Sequence, residues 1–500
     1  MRKSFRSAIL FAFAFATGSV TSLLAGPDNL ELRNGGVPRF TLEEAVLTAL
    51  QRNPDIQRAR QDIERTKGVF LELRADAFPR VDGTSNFSQT DPHLENFTGD
   101  GGSGGGLDSG FETTIRDYNF RLQATQVIFA GGRVVSQIRS GQFQRDASYF
   151  AFRETIDTVI ATVRQQFYQI LLNRALIGVQ EESVNLLQSQ LQDQQNRFEA
   201  GTVPRFNVLQ AQVALSNQQP DLISARNNYR IAQIQLARTI GLDFNPNRGD
   251  APPLEAVGVL RMERRRMSLT RAIEIAKERR PFLKQQKANV LTNNAQVGIA
   301  RSGFFPQISA TGGSDFRSSP ISENLNDVRS GYLFGATGSW AIWDWGQTYG
   351  RLKQAKAVLE QSKITLDDAG RQVELEVQQA YSNLQQGAEL IRSQQQNVGQ
   401  AQEALRLASA RLGAGAGTQL EVLNARVEVT RAQSTTLQAL FTYNSAMAEF
   451  DRVTATEITF ANALDEPRTR EKLKTDPAPT PAPKPTPLRL NNAGNRSPAR

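Results

Sequence analysis

The stretch "RFEAGTVPRFNVLQAQV" occupies residues 197–213, and "RLGAGAGTQLEVLNARV" occupies residues 411–427. Each interrupts a long glutamine-rich run with glycine, and the first adds Pro204. Residues of this kind end one helix and allow a tight reversal into the next. Two such breakers, at an offset of 214 positions, predict the far turns of two long helical hairpins. Ile156, Ile160, Val163, Phe167 and Ile170 are spaced 4, 3, 4, 3, which is the spacing of a coiled-coil seam. Helices are expected over 132–199 and 346–412, and again over 207–240 and 421–455. Some 67 residues of helix reach about 100 Å at ~1.5 Å each. Ordinary globular helices are far shorter, so this length needs lateral partners.

The duplication extends outward from the breakers. "TLEEAVLTALQRNPDI" begins at Thr41 and "SLTRAIEIAKERRPFL" begins at Ser268, an offset of 227 that holds as far as "AFPRVDGT" (77–84) against "FFPQISAT" (304–311). From "AGGR" (130–133) against "DWGQ" (344–347) the offset becomes 214. The first copy therefore carries 13 more residues, and the glycine-rich "TGDGGSGGGLDSG" at 98–110 is the place expected for them. Each copy reads as a helix (41–76 and 268–302), two strands with a loop, a long helix, a break and a further helix. Pro54 after Asn53, and Pro281 after Arg280, predict a kink or a helix boundary at like places. The expected organisation is a signal peptide at 1–25, an extended segment at 26–40 and a first copy at 41–241. A connector at 242–267, a second copy at 268–455 and a proline-rich, disordered tail at 456–500 complete it.

Only 39% of the 500 residues are hydrophobic, so narrow apolar seams on long elements fit better than one compact core. Arg2, Lys3 and Arg6 precede an apolar run and small residues near Ala25, the pattern of an export signal. There is no cysteine, hence no disulfide and no lipid-bearing cysteine after the signal. No later run of 18 apolar residues predicts a membrane-spanning helix. Chemistry-bearing patterns are missing as well. His93 is the only histidine and "GGSGGG" lacks the residues of a phosphate loop. Asp367 and Asp368 are adjacent and do not share a helix face. No enzyme, cofactor or metal site is expected. The formal charge of +8 comes without an aromatic–basic motif, so no nucleic acid is expected either.

The strands alternate. In "DYNFRLQATQVIF", Tyr118, Phe120, Leu122, Ala124, Gln126 and Ile128 take one face. In "GYLFGATGSWAI", Tyr332, Phe334, Ala336, Gly338, Trp340 and Ile342 share a face. Such alternation suits a lipid-facing barrel strand and equally a half-buried strand of a soluble sheet. The export signal and the lack of a helical span favour the barrel. Four strands leave two open edges, which hydrocarbon does not tolerate. Three chains supply twelve strands, an even number that closes.

The chain resembles the TolC-type outer membrane factors over about 41–455. The resemblance is carried by "LEEAVLTALQRNP" and its second copy, the "FP" entering each first strand, "IFAGG" at 128–132 with "IWDWG" at 342–346, and "RFEAG" and "RLGAG" before "NVLQAQ" and "EVLNAR". It implies a homotrimer: a mainly α fold whose twelve-stranded outer-membrane β-barrel, four strands per chain, continues as a long α-helical barrel through the periplasm. It implies a passive export duct, working with a periplasmic adaptor and an inner-membrane transporter of the RND or ABC type, in a tripartite pump or type I secretion system. The periplasmic entrance would lie at 197–210 and 411–424. Relatives place two acids three residues apart at the second tip. Here these align with Glu421 and Asn424, which leaves one ring of three carboxylates and one of amides. The alternative for Glu421 is an early-helix acid favoured by the helix field. The tyrosine and arginine that lock a relative's entrance align with Leu412 and Gly417, so the closing contacts must differ or be looser. Arg197 with Gly201, and Arg411 with Gly415, fall where adaptors dock and also read as structural. Arg205 faces a neighbouring hairpin or an adaptor, or is solvated. The rival reading is an exported coiled-coil structural or adhesive protein without a channel, which accounts poorly for the duplicated strand pairs.

Overall fold

The computed structural model describes residues 37–89, 116–242, 253–263, 267–318 and 328–456. The expected signal peptide, His93, the glycine-rich 98–110 segment and the tail beyond 456 lie outside the described residues. After a two-residue strand β1 (Arg39–Phe40) come α1 (Leu42–Arg52), α2 (Pro54–Ala75), β2 (Arg80–Gln89), β3 (Arg116–Ala130), α3 (Arg133–Glu199) and α4 (Arg205–Thr239). A second short strand, β4 (Glu255–Ala256), precedes α5 (Leu269–Arg279), α6 (Pro281–Arg301), β5 (Gln307–Ser318), β6 (Val328–Ser339), α7 (Gln347–Gly413) and α8 (Gln419–Thr454).

Local chemistry sets the helix boundaries. Thr41 and Glu44 form a reciprocal capping box that starts α1, with Thr41 N donating to Glu44 Oε2 at 2.8 Å. Asn53 ends α1 and starts α2. Its buried Oδ1 accepts from the amides of Asp55 (2.8 Å) and Ile56 (3.1 Å), and its Nδ2 donates to Thr239 O at 2.7 Å. Pro54 then sits at the first helical position, where no amide donor is needed. The long helices start at Gly132 and Gly346, whose left-handed φ of +83° and +86° turns the chain sharply out of the preceding strand.

Helices α3 and α7 are each 67 residues long, on the order of 100 Å. The 4, 3, 4, 3 seam of α3 is buried throughout, with Ile156, Ile160, Val163, Phe167 and Ile170 at 0–2% exposure. It packs with α1, α2 and α4 into one apolar cluster. In α7 the buried row is Val373, Val377, Ala380, Leu384, Gly387 and Ile391, packed with α5, α6 and α8. Gly387 lets α7 and α8 approach closely there, since a Cβ would sit 3.1 Å from Tyr443 Cα of α8, tighter than an ordinary contact. Each fully buried Ile or Leu in these rows contributes about 1.5–3 kcal/mol.

Near the middle of the hairpins the segment 253–263 crosses them. Gln233 donates to Leu254 O (2.7 Å), Arg174 to Ala256 O (2.9 Å) and Gly258 O (2.7 Å), and Tyr443 to Glu263 O (2.5 Å). Strand β4 pairs in parallel with β1, which ties the start of the described chain to the same belt.

The remaining strands form one antiparallel sheet in the order β2-β3-β5-β6. Its register places Val81, Phe87, Tyr118, Phe120, Leu122, Ile308, Phe316, Tyr332 and Phe334 on one face. The opposite face carries Asp82, Thr84, Asn119, Arg121, Gln123, Thr311, Asp315 and Thr337. One expectation is corrected here. A β-bulge between Val127 and Phe129 pairs Phe129 with Ile308, so Phe129 continues the apolar face and Ile128 is the extra residue. Alternation alone cannot see an inserted residue.

Candidate functional site at the helical tips

Both breakers close as the same backbone motif. Thr202 N donates to Arg197 O and Ala416 N donates to Arg411 O, each at 2.9 Å. Inside these, Gly201 N reaches Phe198 O (2.9 Å) and Gly415 N reaches Leu412 O (3.1 Å). This is the nested pair of bonds of a Schellman ending, and it demands a left-handed residue, supplied by Gly201 (φ +73°) and Gly415 (φ +74°). The backbone geometry accounts for the glycine of each Arg-x-x-x-Gly spacing; the arginine contributes only its carbonyl to the nested bonds. Pro204 does not end α3; it precedes α4 as its N-cap residue, in extended conformation.

The side chains differ between the tips. Arg197 pairs with Asp193 one turn back at 2.9 Å. Arg205 is exposed at the first position of α4 and has no ion pair among the described residues. A cation there opposes the positive end of the helix, so local helix stability does not account for it. At the second tip, Thr418 caps α8 and accepts from Glu421 N at 3.2 Å. The Glu421 carboxylate turns to Arg411 instead, with Nη1 at 3.4 Å, while Arg411 Nη2 donates to Ala416 O at 3.2 Å. Both side chains are largely solvated, so the pair stabilises by no more than about 1 kcal/mol. Gly417 packs against the helix end: a Cβ would lie 3.0 Å from Leu412 N and from Arg411 Cβ. Arg411, Leu412, Gly417 and Glu421 are thus brought together, whereas Asn424 is exposed one turn further along α8.

Two features were not anticipated from sequence. Arg426 of α8 donates to Leu186 O of α3 at 3.1 Å, which ties the second hairpin to the first. Burial holds its guanidinium below the usual arginine range. Closer to the sheet, a charge junction joins α3, α6, α7 and α8. The buried Arg280 meets Glu376 at 2.5 Å and Glu154 at 3.5 Å. Arg452 is 3.5 Å from Glu154, 3.7 Å from Glu376 and 2.6 Å from Glu449. Glu154 Oε2 also accepts from Phe282 N at 3.2 Å. At this helix start the capping oxygen comes from α3, whereas Asn53 supplies it locally for α2. Asp157 is buried beside the junction. Burial, the largest influence, pushes its carboxyl up to about 6, and Arg153, Arg452 and Arg280 pull the other way. Among the described residues no group of carboxylate, cysteine and histidine side chains could hold a metal ion.

The model of the family described as "Outer membrane efflux protein" matches residues 46–242 and 272–455. The chain belongs to the outer membrane efflux protein family. This efflux protein is 22% identical over 423 residues to CusC of Escherichia coli O157:H7, a cation efflux system protein, covering 84% of this chain and 87% of that one. It is 24% identical over 404 residues to AprF of Pseudomonas aeruginosa, an alkaline protease secretion protein, covering 80% and 81%. Its fold matches the CmeC outer membrane channel of Campylobacter jejuni with a TM-score of 0.72 at 17% identity, over 86% of this chain and 90% of that one. As an outer membrane efflux protein it is an efflux or secretion channel of the outer membrane.

Proposed function

We propose that three copies of this chain join edge to edge into a barrel and a hollow helical tunnel. The tunnel passively carries substrate from an inner-membrane transporter and a periplasmic adaptor to the exterior. One observation carries this reading. The four-stranded sheet has apolar residues along one face that no helix covers among the described residues; Tyr332 and Phe334 are 83% and 80% exposed. Among the described residues its outer strands β2 and β6 each have one unpaired edge. In water such a sheet is an aggregation hazard. In lipid it is the wall of a closed barrel, apolar outside and polar towards the pore.

The tips form the entrance in this reading. Three copies of Glu421 give a ring of carboxylates that favours cations, and Arg411 tempers each of them. Arg205, held where the helix field opposes it, offers a contact for an adaptor, as do the arginines at the two helix ends. CusC and AprF are named for a cation and for a protease. Relatives of similar distance thus handle unlike cargo, which supports a duct whose selectivity belongs to its partners.

Conductance in a planar bilayer tests the entrance. Glu421→Ala is expected to change stability by less than about 1 kcal/mol, yet to lower the preference for cations over anions and to weaken block by multivalent cations. Unchanged selectivity and unchanged block remove Glu421 from the pore.

A further inference from the structure

The polar face of the sheet is unevenly charged. Near the helices, Arg80 and Asp82 of β2 pair at 2.8 Å. Towards the far end lie Arg121, Arg317 and Arg329, and among the side chains described there only Asp315 opposes them. The register sets Arg121 directly across from Asp315, and Arg317 directly across from Arg329. Asp315 is buried, and its carboxylate accepts from Asn119 Nδ2 at 3.1 Å, from Arg121 Nη2 at 3.3 Å and from Arg317 Nη2.

One carboxylate thus serves two guanidiniums and an amide. Arg329 is exposed and has no ion pair among the described residues. Like charges directly opposite on neighbouring strands weaken a sheet, so pairing within the chain does not account for Arg329 facing Arg317. Gly331, the next residue of β6 on this face, stands opposite Asp315, and a Cβ there would meet nothing within 4 Å. The site is therefore open above the face. Two guanidiniums so placed suit the oxygens of a carboxylate or phosphate group. Strand β5 leaves the helices at Gln307 and β6 returns to them at Ser339, which puts Arg317 and Arg329 at the end of the sheet remote from the hairpins.

We propose that Arg121, Arg317 and Arg329 form an anion-binding collar at the outer mouth of the pore, with Arg317 and Arg329 holding an oxyanion group of a dissolved solute between them. The polar face carries the site, so the anion comes from the pore and not from the bilayer. The proposal rests on the reading of that face as pore-lining. It goes further in naming a class of ligand and its place. It also gives the two ends of the duct opposite sign, with the Glu421 carboxylates at the entrance and a surplus of guanidiniums at the exit.

The test titrates single channels of the full chain, in planar phosphatidylcholine bilayers, with inorganic phosphate at constant ionic strength. Phosphate is expected to reduce the potassium chloride current in a saturable way. Arg329→Gln removes no described contact, so fold and conductance are expected to persist. Its half-blocking phosphate concentration is expected to rise about tenfold, for the loss of charge-assisted hydrogen bonding. Arg329→Lys, which keeps the charge without the fork, is expected to fall between the two. Conducting channels that phosphate leaves untouched, or blocks equally in the parent chain and in Arg329→Gln, overturn the collar while leaving the channel intact. A chain that gives no conductance overturns the channel reading, and the collar with it.

Discussion

Arg280→Met is expected to destabilise the chain by about 3 kcal/mol, read as the midpoint of urea unfolding followed by circular dichroism in detergent. Breaking a buried ion pair from one side costs about 3–5 kcal/mol, because the partner is left charged and poorly solvated. Here Glu376 loses a contact at 2.5 Å and Glu154 one at 3.5 Å. Arg452 remains 3.5 Å and 3.7 Å from the same two carboxylates, which places the loss at the lower end of that range. Adding Glu376→Gln should recover part of it, since one stranded charge is then removed. A single variant with unchanged stability would mean that the junction does not hold α3 to the second hairpin.

Asp157→Asn is expected to do the opposite, stabilising the chain by about 2–3 kcal/mol at pH 7.5. The carboxyl sits at about 6 in the fold against an ordinary 3.8. A raised acid binds its proton more tightly when folded, so the folded state is favoured at low pH. That advantage declines as pH rises from about 4 to 6, and above 6 the fold carries a buried charge. The gap of roughly two units, at ~1.4 kcal/mol per unit, sets the size. The gain from Asn should therefore be full above pH 6 and vanish near pH 4. A gain that is the same at both pH values would assign it to packing and not to ionisation.

Much of this fold was legible in the residues because its signals are local or periodic. Glycine in an otherwise helical run, followed by a fresh start, marks both tips. The spacing of Ile156, Ile160, Val163, Phe167 and Ile170 gives the buried seam. Asn53–Pro54 and Arg280–Pro281 mark two helix boundaries, but the pattern does not reveal that one is capped locally and the other by Glu154, 128 positions before the Phe282 amide that it accepts from. The bulge at Ile128 escaped for a similar reason: an extra residue shows itself only against its partner strand. At the tips, the nested bonds run from Thr202 N and Ala416 N to the carbonyls of Arg197 and Arg411, with Gly201 and Gly415 at the reversals; a docking role for the arginines is a proposal. The contact between Arg411 and Glu421 needs the hairpin to close first, and that between Arg426 and Leu186 needs the two hairpins to pack. The roles of Arg205 and Asn424 remain proposals, since each depends on a surface that a single chain does not supply.

The central claim is that sister chains complete the sheet, and the chain's lack of cysteine makes it directly measurable. Inside one chain, Ala124 of β3 stands opposite Gly312 of β5. The corresponding positions on the free edges are Gly338 of β6 and Ser85 of β2. If the seam between chains copies the seam within a chain, Gly338→Cys on one copy faces Ser85→Cys on the next, at the Cα separation of about 4.5–5.5 Å of directly opposed residues, which a disulfide can bridge. Oxidation of the double variant in membranes is expected to give covalent dimers and trimers and to stop at three, while each single variant stays monomeric on a denaturing gel. A double variant that stays monomeric, or that continues into a ladder beyond three, would contradict a closed ring of three chains.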